Sequence, residues 1–241
     1  PELVRWLRAG NNYGVMGSER LIILDADSPE MAEAINNLPS TFTVRTGGGG
    51  LHAYFRLDGK LPEKFPKAIH DPVRKDADGK PYHYGDIQRT SHQVVGPGSL
   101  HHSGRRYEGD EHLLGEITVE DILEAFDDFL TPPPAEDVEL SKQRPEGDWA
   151  WLDELRIDAV IDVSGFKGKK GGWQTGENPW HGSTHGTNLG VNVAENFCFC
   201  RRCWAGISPI KALALQRGII KDCTDKLNGD NWNRAVDIAV A

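Results

Sequence analysis

Residues 20–30 read RLIILDADSPE, and the fold is decided by this stretch. The run at 20–26 is apolar and ends in charge, the pattern of a buried strand. Ser28-Pro29-Glu30 then predicts a helix start, with Ser28 as the cap and Pro29 in the first turn. Met31, Ala34, Ile35 and Leu38 supply that helix with an apolar face. Side chains alternate along a strand, so Leu21, Ile23, Asp25 and Asp27 share one face. Asp25 and Asp27 emerge together at its carboxyl end, where two carboxylates repel unless a cation lies between them. Mg²⁺ takes oxygen ligands and accepts phosphate oxygens to complete its shell. A plainer alternative stays open here: the pair ends a strand and caps the next helix.

Working outward, residues 41–45 and 51–57 predict two more strands around Gly47–Gly50, a run that no strand interior tolerates. His52 falls in phase with Tyr54 and Arg56, on the more polar side of its strand, and an imidazole there could donate to a phosphate oxygen. Residues 58–81 read as an irregular insertion rich in Pro, Gly and Lys. Strands are expected at 82–89 and 91–95, with Asp86 as a third carboxylate and a turn at Gly96-Pro97-Gly98. Residues 118–130 predict a helix with Ile122, Leu123, Phe126, Phe129 and Leu130 as its stripe.

Thr131-Pro132-Pro133-Pro134 and the polar stretch to Asp148 mark a linker. The expected organisation is a strand-rich α/β (α+β) domain with a mixed sheet at 1–130, a linker at 131–148, and a small metal-bearing, helical domain at 149–241. Helices are expected early in 149–163, at 210–217 with Gly218 closing it, and at 232–240.

The chain has 241 residues and a formal net charge of −9. That sign is set locally. Residues 108–139 hold twelve Asp or Glu and no Lys or Arg, and the remainder is slightly basic. An acidic total therefore does not exclude nucleic acid as a partner. No run approaches the roughly 18 apolar residues of a membrane helix, so no membrane partner is expected. The opening PELVRWLRAG lacks an initiator Met and a signal-peptide pattern, and the chain reads as a fragment, truncated at its N-terminus.

Three of the four cysteines crowd into Cys198, Cys200 and Cys203, within NPWHGSTHGTNLGVNVAENFCFCRRCWAG at 178–206. Clustered thiols with histidines upstream favour metal binding in a reducing, cytoplasmic compartment over a disulfide scaffold. Cys200 and Cys203 form a two-residue knuckle for a tetrahedral Zn²⁺. His181 and His185 are the expected other ligands, with Cys198 as a substitute. Lys167, Lys169, Lys170, Arg201 and Arg202 flank the site and suit contact with single-stranded nucleic acid. Trp173, Trp180 and Trp204 either stack on bases or build the small core.

LIILDADSPE, VRTGGGGLHAYF and YGDIQRTSHQVVGPGSLHHSGRRY, in that order, resemble the primase-polymerase catalytic domain of the archaeo-eukaryotic primase superfamily, found in plasmids, viruses and some prokaryotic chromosomes. The likeness covers roughly residues 5–108, and in that family further structure precedes a point like Pro1. It implies a DNA primase/polymerase, a nucleotidyltransferase of DNA replication that makes primers on a single-stranded DNA template from nucleoside triphosphates. It implies Asp25, Asp27 and Asp86 as ligands of Mg²⁺ or Mn²⁺, and His52 as a contact of the incoming triphosphate. The family often has Ser where this chain has Gly50, so a hydroxyl contact is lost or replaced by a backbone N–H. Arg45 and Arg89 are further candidates to balance the triphosphate charge. The segment around Cys200 resembles primase zinc ribbons, with Asn178 where those often have their first Cys. A replicative helicase domain or protein is an expected associate. The same atoms would also serve a metal-dependent nuclease, and a zinc-containing single-stranded nucleic-acid binding module is the non-enzymatic alternative.

Overall fold

Helix α1 (Glu2–Arg8) precedes a short strand, β1 (Gly14–Met16), and the apolar run at 20–26 forms β2 (Leu21–Ala26). Ser28 caps α2 (Pro29–Asn36): its hydroxyl accepts the Met31 N–H at 3.2 Å, and Pro29 opens the first turn. The first unit continues through β3 (Phe42–Arg45), β4 (Leu51–Asp58), β5 (Ala68–Lys75), β6 (Pro81–Gln88), β7 (Gln93–Val95), β8 (Glu108–Gly109), β9 (Gly115–Thr118) and α3 (Val119–Ala125). The computed structural model describes residues 2–130, 149–168 and 170–240. Contacts within the chain divide it into residues 1–131 and 132–241. The expected linker, 131–148, lies outside the described residues, as does Lys169.

The first unit is a mixed α+β structure. Its main sheet runs β5-β6-β2-β4-β3-β8, all antiparallel, and β9 joins in parallel. β3 pairs with residues 51–54 of β4 and β9 with residues 55–58, so the two share one long strand. One sheet face buries Ile22, Leu24, Phe55 and Ile87, together with Met31 and Ile35 of α2 and Ile122 and Leu123 of α3. Thr118 and Asp121 form a reciprocal capping box that starts α3. On the opposite face Ile23, Val44 and Tyr54 pack with Val94 and Val15 of the separate β1–β7 ribbon.

Residues 58–81 depart from the expected irregular insertion. β5 occupies residues 68–75 of this segment and pairs with β6 as a hairpin at the sheet edge. Its Lys and Arg content disguised it: Arg74 reaches across to Glu30 of α2 at 2.8 Å and lies over the Tyr82 ring. Long charged side chains cover apolar surface without reading as apolar.

The second unit opens with a 3₁₀ turn (Ala150–Glu154) and α4 (Ile157–Val160). A five-stranded antiparallel meander follows: β10 (Lys167–Gly168), β11 (Trp173–Gly176), β12 (Leu189–Asn192), β13 (Phe197–Cys200) and β14 (Ala205–Ile207). α5 (Pro209–Gln216) and α6 (Gly229–Val240) complete it, and Gly218, at φ 66°, ends the chain path of α5 in the left-handed region. Alternation along β13 sends Cys198 and Cys200 into the core with Leu189, Val191 and Leu213. It sends Phe197 and Phe199 to the other face, edge-on to Trp173 and Trp204 respectively, each at 5.1 Å. Trp180 packs against the core. No helix among the described residues is long and apolar enough to cross a membrane.

Candidate active site and metal centre

The register of β2 builds the acidic site. Asp25 stands directly opposite His52 of β4 on one side and Asp86 of β6 on the other. Directly paired residues share a sheet face, so all three side chains leave the same surface. His52 Nε2 lies 3.3 Å from Asp25 Oδ1. The His52 ring is buried beside Tyr107, and its Nδ1 has no partner among the described residues. Asp27 follows the strand end, and its N–H and that of Ser28 both donate to the Tyr84 carbonyl at 3.0 Å.

His83 joins this group, a residue the sequence reading did not single out. Its Nε2 is 3.3 Å from Asp27 Oδ2 and 3.8 Å from Asp86 Oδ2. Strict alternation would put His83 on the face away from Asp86. The structure escapes that rule by a bulge. Ile69 of β5 pairs with Gly85, but its neighbour His70 pairs with His83, leaving Tyr84 as the extra residue. Tyr84 turns to the helix side, where its hydroxyl donates to Asp71 Oδ2 at 2.6 Å and its ring meets Phe129. Gly85 makes the bulge possible. Its φ is 153°, and a Cβ there would strike the Asp25 carbonyl and Met31 Sδ.

The electrostatics follow from the crowding. Burial, then the neighbouring Asp25 carboxylate, pushes the Asp27 pKa up, with Asp86 adding to the rise and His83 opposing it. Burial also raises Asp86, with Asp25 adding to it against the opposing pull of His83. A divalent cation would relieve this repulsion, and the donors present, carboxylate oxygens with one imidazole, fit such an ion.

Beside the acids, Thr46 and Gly50 close the glycine turn. The Thr46 N–H donates to the Gly50 carbonyl at 2.9 Å, and the Gly50 N–H donates to Thr46 Oγ1 at 2.8 Å. A Cβ on Gly50 would lie 2.6 Å from the Ala26 carbonyl oxygen, so the serine that the resemblance leads one to expect has no room here. The Gly50 N–H is engaged within the turn. A second turn packs on the first: Ser103 Oγ donates to the Gly47 carbonyl at 3.0 Å, and His101 lies against Gly47.

The two arginines are placed differently from expectation. Arg45 is exposed and pairs with Leu51, on the sheet face away from His52. Arg89 donates to the carbonyls of Pro62, Glu63 and Phe65, each at 3.0 Å. It anchors the loop before β5. Neither position was readable from proximity in sequence, because pleat phase and a long-range loop contact decide both.

In the second unit His181, Cys200, Cys203 and Cys223 converge, with ligand atoms all within 4.8 Å of one another. His181 Nε2 lies 3.3 Å from Cys223 Sγ and 3.4 Å from both Cys200 Sγ and Cys203 Sγ. A tetrahedral zinc site sets nitrogen and sulfur ligands about 3.6 Å apart, so the donors fit that ion. The chain after α5 brings in Cys223, which replaces the expected His185; Cys198 stays apart, directed at the Ile207 carbonyl at 3.7 Å. A lone cysteine far from the knuckle carried no spacing signal. Asn178, fully buried, sends Nδ2 to Cys200 Sγ at 3.3 Å and Cys223 Sγ at 3.7 Å. It stands against the cluster as a hydrogen-bond donor to its sulfurs.

Of the flanking basic residues, Lys167 and Arg202 are exposed. Arg201 is buried, and burial pushes its guanidinium down to about 10. It is a core residue and not part of a cationic surface. The Lys170 side chain and all of Lys169 lie outside the described residues.

No curated protein matches the chain. Residues 1–120 match the family described as bifunctional DNA primase/polymerase, N-terminal. That span holds β2, β4 and β6, the strands on which Asp25, His52 and Asp86 meet. Through it, residues 1–120 belong to the bifunctional DNA primase/polymerase family.

Proposed function

We propose that the first unit carries out template-directed nucleotidyl transfer and primer synthesis on single-stranded DNA. The observation that supports this most is the double pairing of Asp25 with His52 and Asp86 on one sheet face, with Asp27 at the strand end beside them. In the reaction a 3′-hydroxyl oxygen bonds to the α-phosphorus of a nucleoside triphosphate, and the bond to the pyrophosphate oxygen breaks. Asp25, Asp27 and Asp86 would hold two divalent cations, Mg²⁺ or Mn²⁺, which lower the pKa of the attacking hydroxyl and neutralise the leaving oxygen. His52 holds the Asp25 carboxylate in position through Nε2. Within the glycine turn a side-chain carbon at Gly49 would meet nothing, which leaves that position open to a ligand.

In the second unit we assign a structural zinc to His181, Cys200, Cys203 and Cys223. Zinc there ties three separated chain segments around a modest core, so its binding energy is largely folding energy. Lys167 and Arg202 remain the exposed cations through which this unit would contact a template.

The test is incorporation of labelled nucleotide on a single-stranded template. The native chain is expected to extend, and a folded Asp25→Ala, Asp27→Ala double variant is not. Extension by that variant removes the assignment. Divalent-dependent degradation of the template without added nucleotide would replace synthesis by hydrolysis at the same atoms.

A further inference from the structure

Three carboxylates account for the cation site proposed above, yet the sheet is distorted to bring a histidine into it. The bulge at Tyr84 and the left-handed Gly85 have one visible effect on this face: they turn His83 toward Asp27 and Asp86. The ring is steadied from behind by His70, edge-on at 4.8 Å, while Nε2 points at the two carboxylates. The ligand atoms of Asp27, His83 and Asp86 lie within 4.8 Å of one another, a spacing one ion can span. His52 is differently placed, with its Nε2 3.3 Å from Asp25 Oδ1.

We propose that His83 is a direct ligand, through Nε2, of a divalent cation shared with Asp27 and Asp86, and that this nitrogen makes the site select first-row transition ions over magnesium. The inference rests on the reading of these carboxylates as a cation site. Its chemical basis is ligand type. Mg²⁺ demands oxygen donors in near-ideal octahedral geometry and keeps its waters. An imidazole nitrogen in place of one oxygen costs Mg²⁺ more than it costs Mn²⁺, Fe²⁺ or Co²⁺, which bind nitrogen more strongly. A solvent-side charge partner for two aspartates would need no such aim, because an exposed lysine serves as well.

The experiment uses the full chain with the Cys/His cluster first filled with zinc, and Mn²⁺ as the probe, without nucleotide. Electron spin-echo modulation should show a nitrogen coupled to bound Mn²⁺, shifting when the protein is made with ¹⁵N-histidine. His83→Gln should abolish that coupling and weaken Mn²⁺ binding by about tenfold, while Mg²⁺ binding, read by competition, changes by less than about twofold. His52→Gln should keep the coupling. Absence of coupling in the native chain that nonetheless binds Mn²⁺ overturns His83 as a ligand, as does coupling that survives in His83→Gln. Absence of any Mn²⁺ binding that depends on Asp27 and Asp86 overturns the underlying cation site instead, so the two failures are told apart. The native-chain spectrum needs no variant and stands even where a substitution disturbs folding.

Discussion

Asp25 and Asp86 face each other directly across the β2–β6 pair. Like charges in that relationship are destabilising, and a cation held between them would offset the repulsion.

That arrangement has a pH signature in the metal-free protein. Burial and neighbouring carboxylates raise Asp27 and Asp86 above the ordinary aspartate value of 3.8. The folded state therefore holds protons that the unfolded chain has released, and stability falls as pH rises from that value through the raised ones. Asp27→Asn is expected to flatten this slope and to raise the melting temperature at pH 7 of the zinc-loaded protein without added Mg²⁺ or Mn²⁺. Divalent cation should stabilise the native chain and leave Asp27→Asn nearly unmoved. Thermal melts across pH, with and without cation, check both; a steeper slope in the variant would contradict the account.

Gly85→Ala should be among the most damaging single changes in the first unit. It places a Cβ against the Asp25 carbonyl and Met31 Sδ at a φ of 153°. A loss of about 3 kcal/mol is expected from the backbone conformation and the displaced neighbours together. Hydrogen exchange of the Ile22–Ala26 amides reads it out, since these lie in the strand that must move.

Arg89→Ala should lower stability by about 2 kcal/mol, because three carbonyls lose charge-assisted donors. Nucleotide affinity should stay within about twofold, in line with an anchoring role. A large rise in the KM for nucleotide at unchanged stability would restore Arg89 to the phosphate site.

Zinc content separates the ligand sets. Cys223→Ala should leave the purified chain without stoichiometric zinc and with its second unit unfolded, whereas His185→Ala should retain the metal. Asn178→Ala should keep the four ligands but weaken zinc binding by about 10–100-fold through loss of its hydrogen bonds to the sulfurs. Mass spectrometry under native conditions and chelator competition measure these outcomes.

The strand at 20–26, the Ser28 cap, the phase of His52 and the approach of Asp86 were all legible, because each follows from local periodicity or end chemistry. His83 was not, because a bulge inserts a residue that no period of two anticipates. β5 was hidden by charge, and its pairing partner lies beyond a turn with no apolar alternation to mark it. Arg45 and Arg89 were misplaced because nearness along the chain fixes neither the side of the pleat that Arg45 leaves nor the loop that Arg89 reaches. Cys223 needed the path of α5 before it could be joined to Cys200 and Cys203.

Tyr84 is a single surplus residue between the Ile69–Gly85 and His70–His83 pairs. Deleting one amino acid inside a strand is usually ruinous, but here it would make the pairing at Ile69 and His70 continuous, at the cost of the carbonyl that holds Asp27 and Ser28. His83 would then stand two positions before Asp86 and keep the same sheet face, so the imidazole would stay at the site without the bulge. The donor set offered to an ion is thus written partly in backbone spacing, and straightening the bulge at unchanged length would carry the imidazole to the helix side while every side chain in the acidic triad remained unchanged.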